Sequence, residues 1–411
     1  MSGGTVRVCH VITRLDLGGA QENTLYTVGH LRAPFAASLV CGRGGLLDDE
    51  ASGLPGVPVT FLPSLVRPVR PWRDLRALRD LARLFRSERP QVVHTHSSKA
   101  GILGRAAARL AGVPVVVHTI HGFGFNDLQP APLRAALVAL ERAASRFTTQ
   151  FIAVSRANLE KGMALGIVPR GRVRLIRSGI PIAAFETAGR DEALRSGIAL
   201  RREIGLPRDA PLVGMVACLK RQKDPLTFVE AMARVAAALP RAAFVVAGDG
   251  ELRAAVQARC EARGLAGKLR LLGWRRDIPG VMAALDVLVL ASLWEGLPKV
   301  LPQAIAAGVP IVATAVDGTR DVLRDGVSGL LCAPGDAATI ASGVIRLLND
   351  PILGRTLAGR ARAVLPEFDI DAMVRAQEDL YLELLGAAGC RDAAPRGNQA
   401  GAPEKALAVK H

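Results

Sequence analysis

The turn Glu295-Gly296-Leu297-Pro298 has the residue types of a ligand site at the end of a buried strand. It follows residues 285–290, a short apolar and β-branched run that is typical of a parallel strand buried on both faces. A helix is predicted to start near Pro298, to continue through Gln303 and to stop at Gly308. Free amide groups and the helix dipole favour an anion at such a junction, so residues 291–303 predict an anion site, although an ordinary strand-to-helix turn has the same pattern.

Three cations occupy a second turn of the same kind. Lys220, Arg221 and Lys223 stand between a predicted strand and a helix that begins near Pro225. Cations beside a helix start can bind a diphosphate, although lysines and arginines are also common in exposed turns. A third turn, Gly248-Asp249-Gly250-Glu251, follows another predicted strand. If the three turns lie on one edge of one sheet, they line the same cleft.

The first half of the chain has a glycine-rich turn after its first predicted strand, at residues 6–12. Gly18 and Gly19 would let the backbone approach a ligand there, and the helix start that follows can hold a phosphate group. The spacing is not G-x-G-x-x-G, so the dinucleotide-binding fingerprint is absent from this turn.

Four of the seven histidines follow two adjacent predicted strands: His94, His96, His118 and His121. His94 and His96 point to one face of an extended segment, as two metal ligands would. No nearby Asp, Glu or Cys completes a ligand set, so a polar lining of a cleft is favoured and no metal site is predicted. The single D-x-D, residues 369–371, begins the last helix and is explained better by capping.

Short apolar runs alternate with helical patterns along the chain, which predicts parallel sheets covered by helices on both faces. The first set of strands is predicted at 6–12, 37–41, 57–62, 92–95, 113–119, 149–154 and 173–176. Strand signals lapse between 181 and 209, and a second set follows at 212–219, 243–247, 269–272, 287–290 and 311–314. Residues 387–411, rich in Ala, Gly, Pro and charge, are expected to be a disordered tail.

Positive charge is concentrated in the first half. Residues 1–180 carry 24 Lys and Arg against 11 Asp and Glu, which leaves 29 against 26 for the remainder. A basic half predicts an acidic partner: nucleic acid, an anionic lipid surface or a phosphorylated substrate. The densest segment, 72–88, predicts an amphipathic helix whose polar face carries Arg73, Arg76, Arg79, Arg83 and Arg86. A solvated crossover helix and a membrane-surface contact both explain this face, and residues 131–146 offer a second basic helix with the same two interpretations.

Composition argues against several other classes. No apolar run approaches the roughly 18 to 20 residues of a spanning helix, and residues 1–14 lack a signal-peptide layout, so a cytoplasmic protein is expected. The six cysteines are scattered without a C-x-x-C pair, which suggests neither a zinc site nor a disulfide framework. Two Tyr and three Trp are few for a protein that stacks nucleic-acid bases.

Eight motifs together give the chain a resemblance to retaining glycosyltransferases of family 4, from about residue 6 to 385. They are Gly-Gly-Ala-Gln-Glu at 18–22, His-Thr-His-Ser-Ser-Lys-Ala-Gly at 94–101, Thr-Ile-His-Gly at 119–122, Gln-Lys-Asp-Pro at 222–225, Gly-Asp-Gly-Glu at 248–251, Glu-Gly-Leu-Pro at 295–298, Thr-Ala-Val-Asp-Gly-Thr at 314–319 and Asp-Gly-Val-Ser-Gly-Leu-Leu at 325–331. The resemblance implies an α/β GT-B fold, with two doubly wound, Rossmann-like parallel-sheet domains facing a cleft. It implies an acceptor domain at 1–185, a nucleotide-sugar domain at 186–366 and a helix at 367–386 that packs back toward the first domain.

The resemblance also implies site residues. The implied catalytic residues are His121, Lys223 and Glu295. The implied donor-binding residues are Gly18, Gly19, Lys220, Arg221, Gly248, Gly250, Glu251, Gly296, Leu297, Pro298 and Gln303. The implied acceptor-binding residues are His96, Ser98 and Lys99.

Two positions depart from the family pattern. Cys218 stands where the family has the arginine of its phosphate-binding pair, so Lys220 or Arg221 would supply that charge. Gln303 stands where the family has the second glutamate of its E-x7-E motif. An amide still accepts a hydrogen bond from a ribose hydroxyl, but without charge assistance, so a weaker ribose contact is expected.

The implied function is that of a hexosyltransferase-type enzyme. It would move a sugar from a nucleotide-diphosphate donor, a UDP-sugar before a GDP-sugar, to a lipid-linked or saccharide acceptor with retention, in cell-surface polysaccharide or glycolipid biosynthesis. Neither a cofactor nor a metal is implied, because fixed cations and helix amides would stabilise the leaving diphosphate. The expected place is cytoplasmic or peripheral at an anionic inner membrane surface, without a nucleic-acid partner. A sugar-nucleotide epimerase of the same architecture and a basic nucleic-acid- or membrane-binding protein are the alternatives.

Overall fold

The computed structural model describes residues 4–126, 128–186, 190–207 and 209–389. Short apolar runs form the strands of two parallel sheets, and amphipathic segments between them form helices that cover both faces. The predicted fold class is confirmed.

The first sheet has seven strands in the order β3-β2-β1-β4-β5-β6-β7, all parallel. They are β1 (Val6–Arg14), β2 (Phe35–Gly42), β3 (Val59–Phe61), β4 (Val92–His96), β5 (Val115–Ile120), β6 (Gln150–Ala153) and β7 (Val173–Leu175). The helices of this half are α1 (Gly19–His30), α2 (Asp48–Ser52), α3 (Pro71–Glu88), α4 (Ser98–Ala111), α5 (Ala131–Ser145) and α6 (Arg156–Ala164). The strand order reverses between β1 and β4, and ligands bind at such switch points.

The second sheet has six parallel strands in the order β10-β9-β8-β11-β12-β13. They are β8 (Leu212–Val216), β9 (Ala243–Ala247), β10 (Leu269–Gly273), β11 (Val287–Leu290), β12 (Ile311–Thr314) and β13 (Leu330–Cys332). The helices are α7 (Ile182–Phe185), α8 (Arg190–Glu203), α9 (Pro225–Ala238), α10 (Arg253–Ala262), α11 (Ile278–Ala284), α12 (Val300–Ala307), α13 (Thr319–Val322), α14 (Ala337–Asn349) and α15 (Pro351–Ala361), with 3-10 turns at Arg221–Lys223 and Arg362–Phe368.

The last helix, α16 (Ile370–Ala387), returns to the first sheet. Val374 and Leu380 lie in one buried cluster with Val6 and Val92 of that sheet. The side chain of Asp369 accepts a hydrogen bond from the Ala372 amide at 2.7 Å, which confirms that the D-x-D motif begins with a helix cap. Of the predicted disordered tail, residues 390–411 lie outside the described residues.

One predicted strand end was wrong by three residues, and one strand was not predicted. β8 ends at Val216, three residues before the predicted 219, because the chain turns there to carry the cationic loop. β13 was not predicted, since three strand residues give too short an apolar run to separate from the turn before them. No helix within the described residues combines the length and the apolar character that crossing a membrane requires.

Candidate active site

The three polar turns of the second domain meet at one edge of its sheet. They follow β8, β9 and β11, which are neighbours and parallel, so their carboxyl ends lie side by side. The Leu219 amide donates to the Asp249 carbonyl at 2.9 Å, which joins the first two turns. The Leu293 amide donates to the Gln222 carbonyl at 2.8 Å, which joins the first and the third. The cleft predicted from the three turns is therefore built by direct backbone contacts.

Lys223 and Glu295 form the centre of this edge. The Lys223 Nζ donates to Glu295 Oε1, and the Ser292 hydroxyl donates to the same oxygen at 2.6 Å. The Glu295 amide donates to Asp317 Oδ2 at 2.9 Å, which holds the backbone of the turn. Because a cation and a hydroxyl both engage the same carboxylate oxygen, the Glu295 side chain is held in one position at the centre of this edge.

The second cation beside Lys223 is Lys220. Its side chain is partly buried, and burial, with the neighbouring charge of Lys223, lowers its pKa. Burial likewise raises the pKa of the Cys218 thiol, which stands at the family's arginine position. Arg221 is exposed. Of the two residues predicted to replace the missing arginine, Lys220 is therefore the one that shares a partly buried site with Lys223.

A third cation, Arg67, comes from the first domain and was missed in the sequence. Its charge acts on both Lys220 and Cys218 across the cleft, and it lies 3.8 Å from a carboxylate oxygen of Asp16. Arg67 lies in the turn after β3. Its position after a strand of the first sheet is the signal by which the sequence could have indicated it.

The glycines at 248 and 250 shape the cationic turn. A Cβ at Gly248 would lie 1.9 Å from the Ala217 carbonyl oxygen, and one at Gly250 would lie 2.5 Å from that of Leu219. Any larger residue at either position would displace the backbone that carries Lys220. Glu251, the last residue of this turn, is exposed.

The two domains touch where the first-half motifs face Glu295-Gly296-Leu297-Pro298. Lys299 Nζ pairs with Glu22 Oε2 at 2.7 Å, and the Lys299 stem covers Gly19, whose Cβ would lie 2.8 Å from Lys299 Cδ. A Cβ on Gly296 would lie 1.8 Å from the His121 carbonyl oxygen. His121, Gly19 and Gly296 are thus brought together, with Gly18 capping the start of α1 beside them.

The remaining predicted donor-site residues are Leu297, Pro298 and Gln303. Leu297 and Pro298 are buried, and α12 starts at Val300 rather than at Pro298. The Gln303 side chain is partly buried, and among the described residues it makes no hydrogen bond, so its amide is available to a ligand.

The predicted acceptor residues are not brought together on one surface. His96 is only 3% exposed, because β4 is buried on both faces. Lys99 pairs with Asp74 of α3 and donates to the Pro68 carbonyl. Ser98 lies beside Gly124, and a Cβ on Gly124 would lie 2.6 Å from its hydroxyl oxygen.

Five histidines gather beneath the cleft, one more than the sequence indicated. His10 of β1 joins the predicted four: His94, His96, His118 and His121. Burial lowers the pKa of His10 to about 3; burial and then the charge of Lys299 lower that of His121 to about 4. The pKa values of the other three also lie well below the ordinary value, with burial as the first cause. His10 escaped notice because it stands inside an apolar strand.

The ring nitrogens of His10, His94 and His96 lie within 4.8 Å of one another, as ligands of a metal ion would. Both nitrogens of His94 are already engaged, Nδ1 with the Tyr381 hydroxyl at 2.6 Å and Nε2 with the Thr119 hydroxyl at 2.7 Å. A metal would have to displace one of these contacts. The absence of a metal from the mechanism stays a prediction.

Two Rossmann-like domains face a cleft lined by cations and a fixed carboxylate, and this arrangement is the GT-B fold. Residues 198–364 match the model of glycosyl transferases group 1, and residues 18–179 match that of the glycosyl transferase 4-like domain. The chain therefore belongs to the group 1 glycosyltransferases with a family-4-like first domain.

Individual relatives agree with this assignment. The chain is 32% identical over 384 residues, 92% of its length and 97% of the relative's, to the UDP-Gal:alpha-D-GlcNAc-diphosphoundecaprenol alpha-1,3-galactosyltransferase of Escherichia coli. The solved structure of Anabaena HepE in complex with UDP and glucose superposes with a TM-score of 0.79 at 20% identity, over 91% of this chain and 99% of that one. The structure of WaaG, a glycosyltransferase involved in lipopolysaccharide biosynthesis, has a TM-score of 0.72 at 17% identity, over 91% and 99% of the two chains. The two structural likenesses support the fold.

Proposed function

We propose that this protein transfers a hexosyl group, galactose first among the candidates, from a UDP-sugar to a lipid-linked diphosphate acceptor with retention of configuration. The observation that carries the proposal is the end-to-end similarity to the Escherichia coli enzyme, whose name gives UDP-galactose as donor, a GlcNAc-diphospho-lipid as acceptor and an α-1,3 linkage. Galactose is α-linked in UDP-galactose, so an α-linked product means retention.

The cleft has the charges that this reaction needs. Breaking the sugar–phosphate bond places negative charge on the departing diphosphate, and Lys223, Lys220 and Arg67 lie where they can stabilise it. The amide groups at the starts of α9 and α12 add fixed positive dipoles at the same edge. We assign Glu295 to the donor sugar's hydroxyls and let the leaving phosphate take the acceptor's proton, so no side chain is required as general base.

The test combines transfer and binding. Purified protein would be incubated in EDTA with UDP-galactose, UDP-glucose or GDP-mannose, each with and without a synthetic GlcNAc-diphospho-lipid. We expect UDP release and an α-linked disaccharide only with UDP-galactose and acceptor together. UDP at a hundredfold its Kd would add about 2.7 kcal/mol to the free energy of unfolding, and GDP would add much less.

Each other outcome counts against a specific part of the proposal. Conversion of the donor sugar without acceptor would indicate an epimerase. A β-linked product would exclude retention, and activity that appears only when a divalent cation is restored would exclude the metal-independent mechanism. Stabilisation by GDP but not UDP would change the donor class.

We also propose that the start of α3 contacts an anionic membrane that carries the lipid-linked acceptor. Trp72 is 85% exposed and Val69 79%, although most large apolar side chains of the chain are buried. Arg73 and Arg76 flank them and are exposed. Lys99 of α4 holds the start of α3 in place, because it pairs with Asp74 and donates to the Pro68 carbonyl. Tryptophan beside arginines on a fixed amphipathic helix suits the interface of an anionic bilayer.

Reversing the charge of Arg73, Arg76 and Arg83 to glutamate is expected to weaken binding to vesicles containing phosphatidylglycerol by more than tenfold, since each basic residue near the surface contributes about 1 kcal/mol. UDP affinity should not change, because none of the three arginines belongs to the proposed UDP site. Vesicle co-sedimentation measures the first quantity and thermal shift the second.

The matched control reverses three exposed arginines of the second domain: Arg346, Arg355 and Arg360. Equal vesicle binding by the α3 variant and the native chain, or an equal loss in the control variant, would contradict a membrane contact through α3.

A further inference from the structure

Three imidazoles form a hydrogen-bonded row from the core of the first domain to the cleft. His10 Nδ1 lies 3.1 Å from His96 Nε2, and His96 Nδ1 lies 3.1 Å from His121 Nε2. His10 stands on β1 and His96 at the end of β4, while His121 follows β5, so three neighbouring strands position the row. We call His10, His96 and His121 the imidazole row.

Burial favours the neutral form of all three rings at physiological pH. Burial is the main cause that lowers the pKa of His10, His96 and His121 far below the pH at which an ordinary histidine gains a proton. A neutral imidazole has one N–H donor and one bare acceptor nitrogen. The two hydrogen bonds of the row must therefore run in the same direction, either from His10 toward His121 or from His121 toward His10.

The buried end of the row favours one direction. His10 Nε2 is buried and has no hydrogen-bond partner among the described residues. If the bonds ran toward His10, this atom would carry a buried N–H without an acceptor, an arrangement that folded proteins rarely keep. In the opposite direction the proton of His10 sits on Nδ1 and is used in the bond to His96. His10 Nε2 is then a bare acceptor, and buried acceptors without a partner are less rare than buried donors without one.

At the cleft end of the imidazole row, His121 then has a defined hydrogen-bond donor. His96 donates from Nδ1 to His121 Nε2, so the proton of His121 sits on its own Nδ1. The His121 ring is partly exposed, and within the described part of the chain its Nδ1 makes no hydrogen bond. Neighbouring bonds in a row polarise one another, which strengthens the last donor.

We propose that His10 and His96 are positioning residues that hold His121 in the Nδ1-protonated form, ready to donate to an oxygen of the bound sugar nucleotide. The identity of that ligand rests on the proposed function, whereas the proton position does not. His94 is not part of the row, because its two nitrogens bond to Tyr381 and Thr119.

The direct test is the proton position of each ring, measured by nitrogen-15 NMR on protein labelled at histidine side chains. Protonated and bare ring nitrogens have well-separated shifts. We expect protonated Nδ1 and bare Nε2 in His10, His96 and His121 of the native chain. Protonated Nε2 in His121 would overturn the proposal without any variant having to fold.

Substitutions then test the link to His121. His10→Phe removes the terminal donor, and His96→Leu removes the middle ring. In each variant His121 should become a mixture of the Nδ1-protonated and the Nε2-protonated tautomers. His96→Asn keeps an N–H near the position of Nδ1 and should preserve the Nδ1-protonated form. The control is His118→Asn, a change at a buried histidine outside the row, whose own bond joins Nδ1 to the Thr95 hydroxyl at 2.9 Å.

Kinetics show whether the proton position matters for transfer. With UDP-galactose as donor, His10→Phe and His96→Leu should lower kcat about two- to tenfold, the worth of one net hydrogen bond, with a smaller change in KM. His96→Asn should retain most of the activity. An unchanged kcat in both disruptive variants would overturn the positioning role.

Two further outcomes are distinguishable. If the native chain transfers no sugar, the proposed function fails, yet the ring shifts still decide the proton position. If equimolar Zn²⁺ added to EDTA-treated protein moves the ring signals of His10 and His96 together, the row is a metal site and the proposal is overturned.

Discussion

Replacing Lys223 by methionine is expected to lower kcat/KM for UDP-sugar transfer about 100- to 1,000-fold, the usual loss when one preorganised donor to a developing negative charge is removed. Methionine has a similar length but no charge, so the buried stem is preserved. The loss should fall mainly on kcat, because charge develops on the diphosphate only as the sugar–phosphate bond breaks.

The structure adds a second reason for this loss. Lys223 also holds Glu295 Oε1, so its removal leaves a carboxylate that is 7% exposed with the Ser292 hydroxyl but without its directly bonded cation. Glu295 would then be able to turn away, which removes its proposed contact with the donor sugar. Combining Lys223→Met with Glu295→Gln should therefore cost much less than the two separate losses added together.

The measurement is steady-state UDP release, with UDP-induced thermal shift as a test of folding and binding. Lys268→Met is the matched control. Lys268 precedes β10 and donates to the Pro240 carbonyl at the amino ends of the strands, opposite the turns that carry Lys223 and Glu295. A fall of less than tenfold in the Lys223 variant would show that Lys220 and Arg67 suffice for the leaving diphosphate.

The turns that carry Lys223 and Glu295 could be placed from the sequence because each follows a short apolar run. Parallel strands buried on both faces have few polar residues, so the point where polarity returns marks the carboxyl end of the strand. The adjacency of the turns after β8, β9 and β11 then follows from the strand order of a doubly wound sheet.

Contacts between residues far apart in the chain could not be predicted in this way. Lys299 and Glu22 pair across the two domains, and Arg67 adds its charge to a site formed by the other half. Neither position belongs to a periodic pattern, since each contact depends on how one folded domain faces the other. His10 was hidden for a different reason, because a buried polar residue in a strand looks like an interruption of the core until its partner is known.

His96 shows what tertiary contacts add. The family resemblance implied acceptor binding for it, but the whole of β4 is buried, and the ring bonds to two other histidines. The pattern located the correct edge of the sheet, and only the tertiary contacts distinguish a residue that lines the cleft from one that supports it.

Gly296→Ala is expected to lower kcat about 100-fold while UDP binding is retained. The added Cβ would lie 1.8 Å from the His121 carbonyl oxygen, a backbone atom that cannot rotate away, so the two domains must separate locally. A displacement near 1 Å between reacting groups can cost about 100-fold in rate. The cations that we propose bind UDP, Lys220 and Lys223, belong to the second domain and do not move with the first domain, so the thermal shift with UDP should persist.

The matched control is Gly359→Ala, because a Cβ at Gly359 in α15 meets nothing within 4 Å. That variant should keep full activity and gain about 0.5 to 1 kcal/mol in the free energy of unfolding, since alanine suits a helix interior better than glycine. If Gly296→Ala instead abolished the UDP shift together with transfer, its damage would lie within the nucleotide site. Retained UDP binding with lost transfer would mean that catalysis requires the contact between His121 and the Glu295 turn, because the new methyl group collides with the His121 backbone across the cleft.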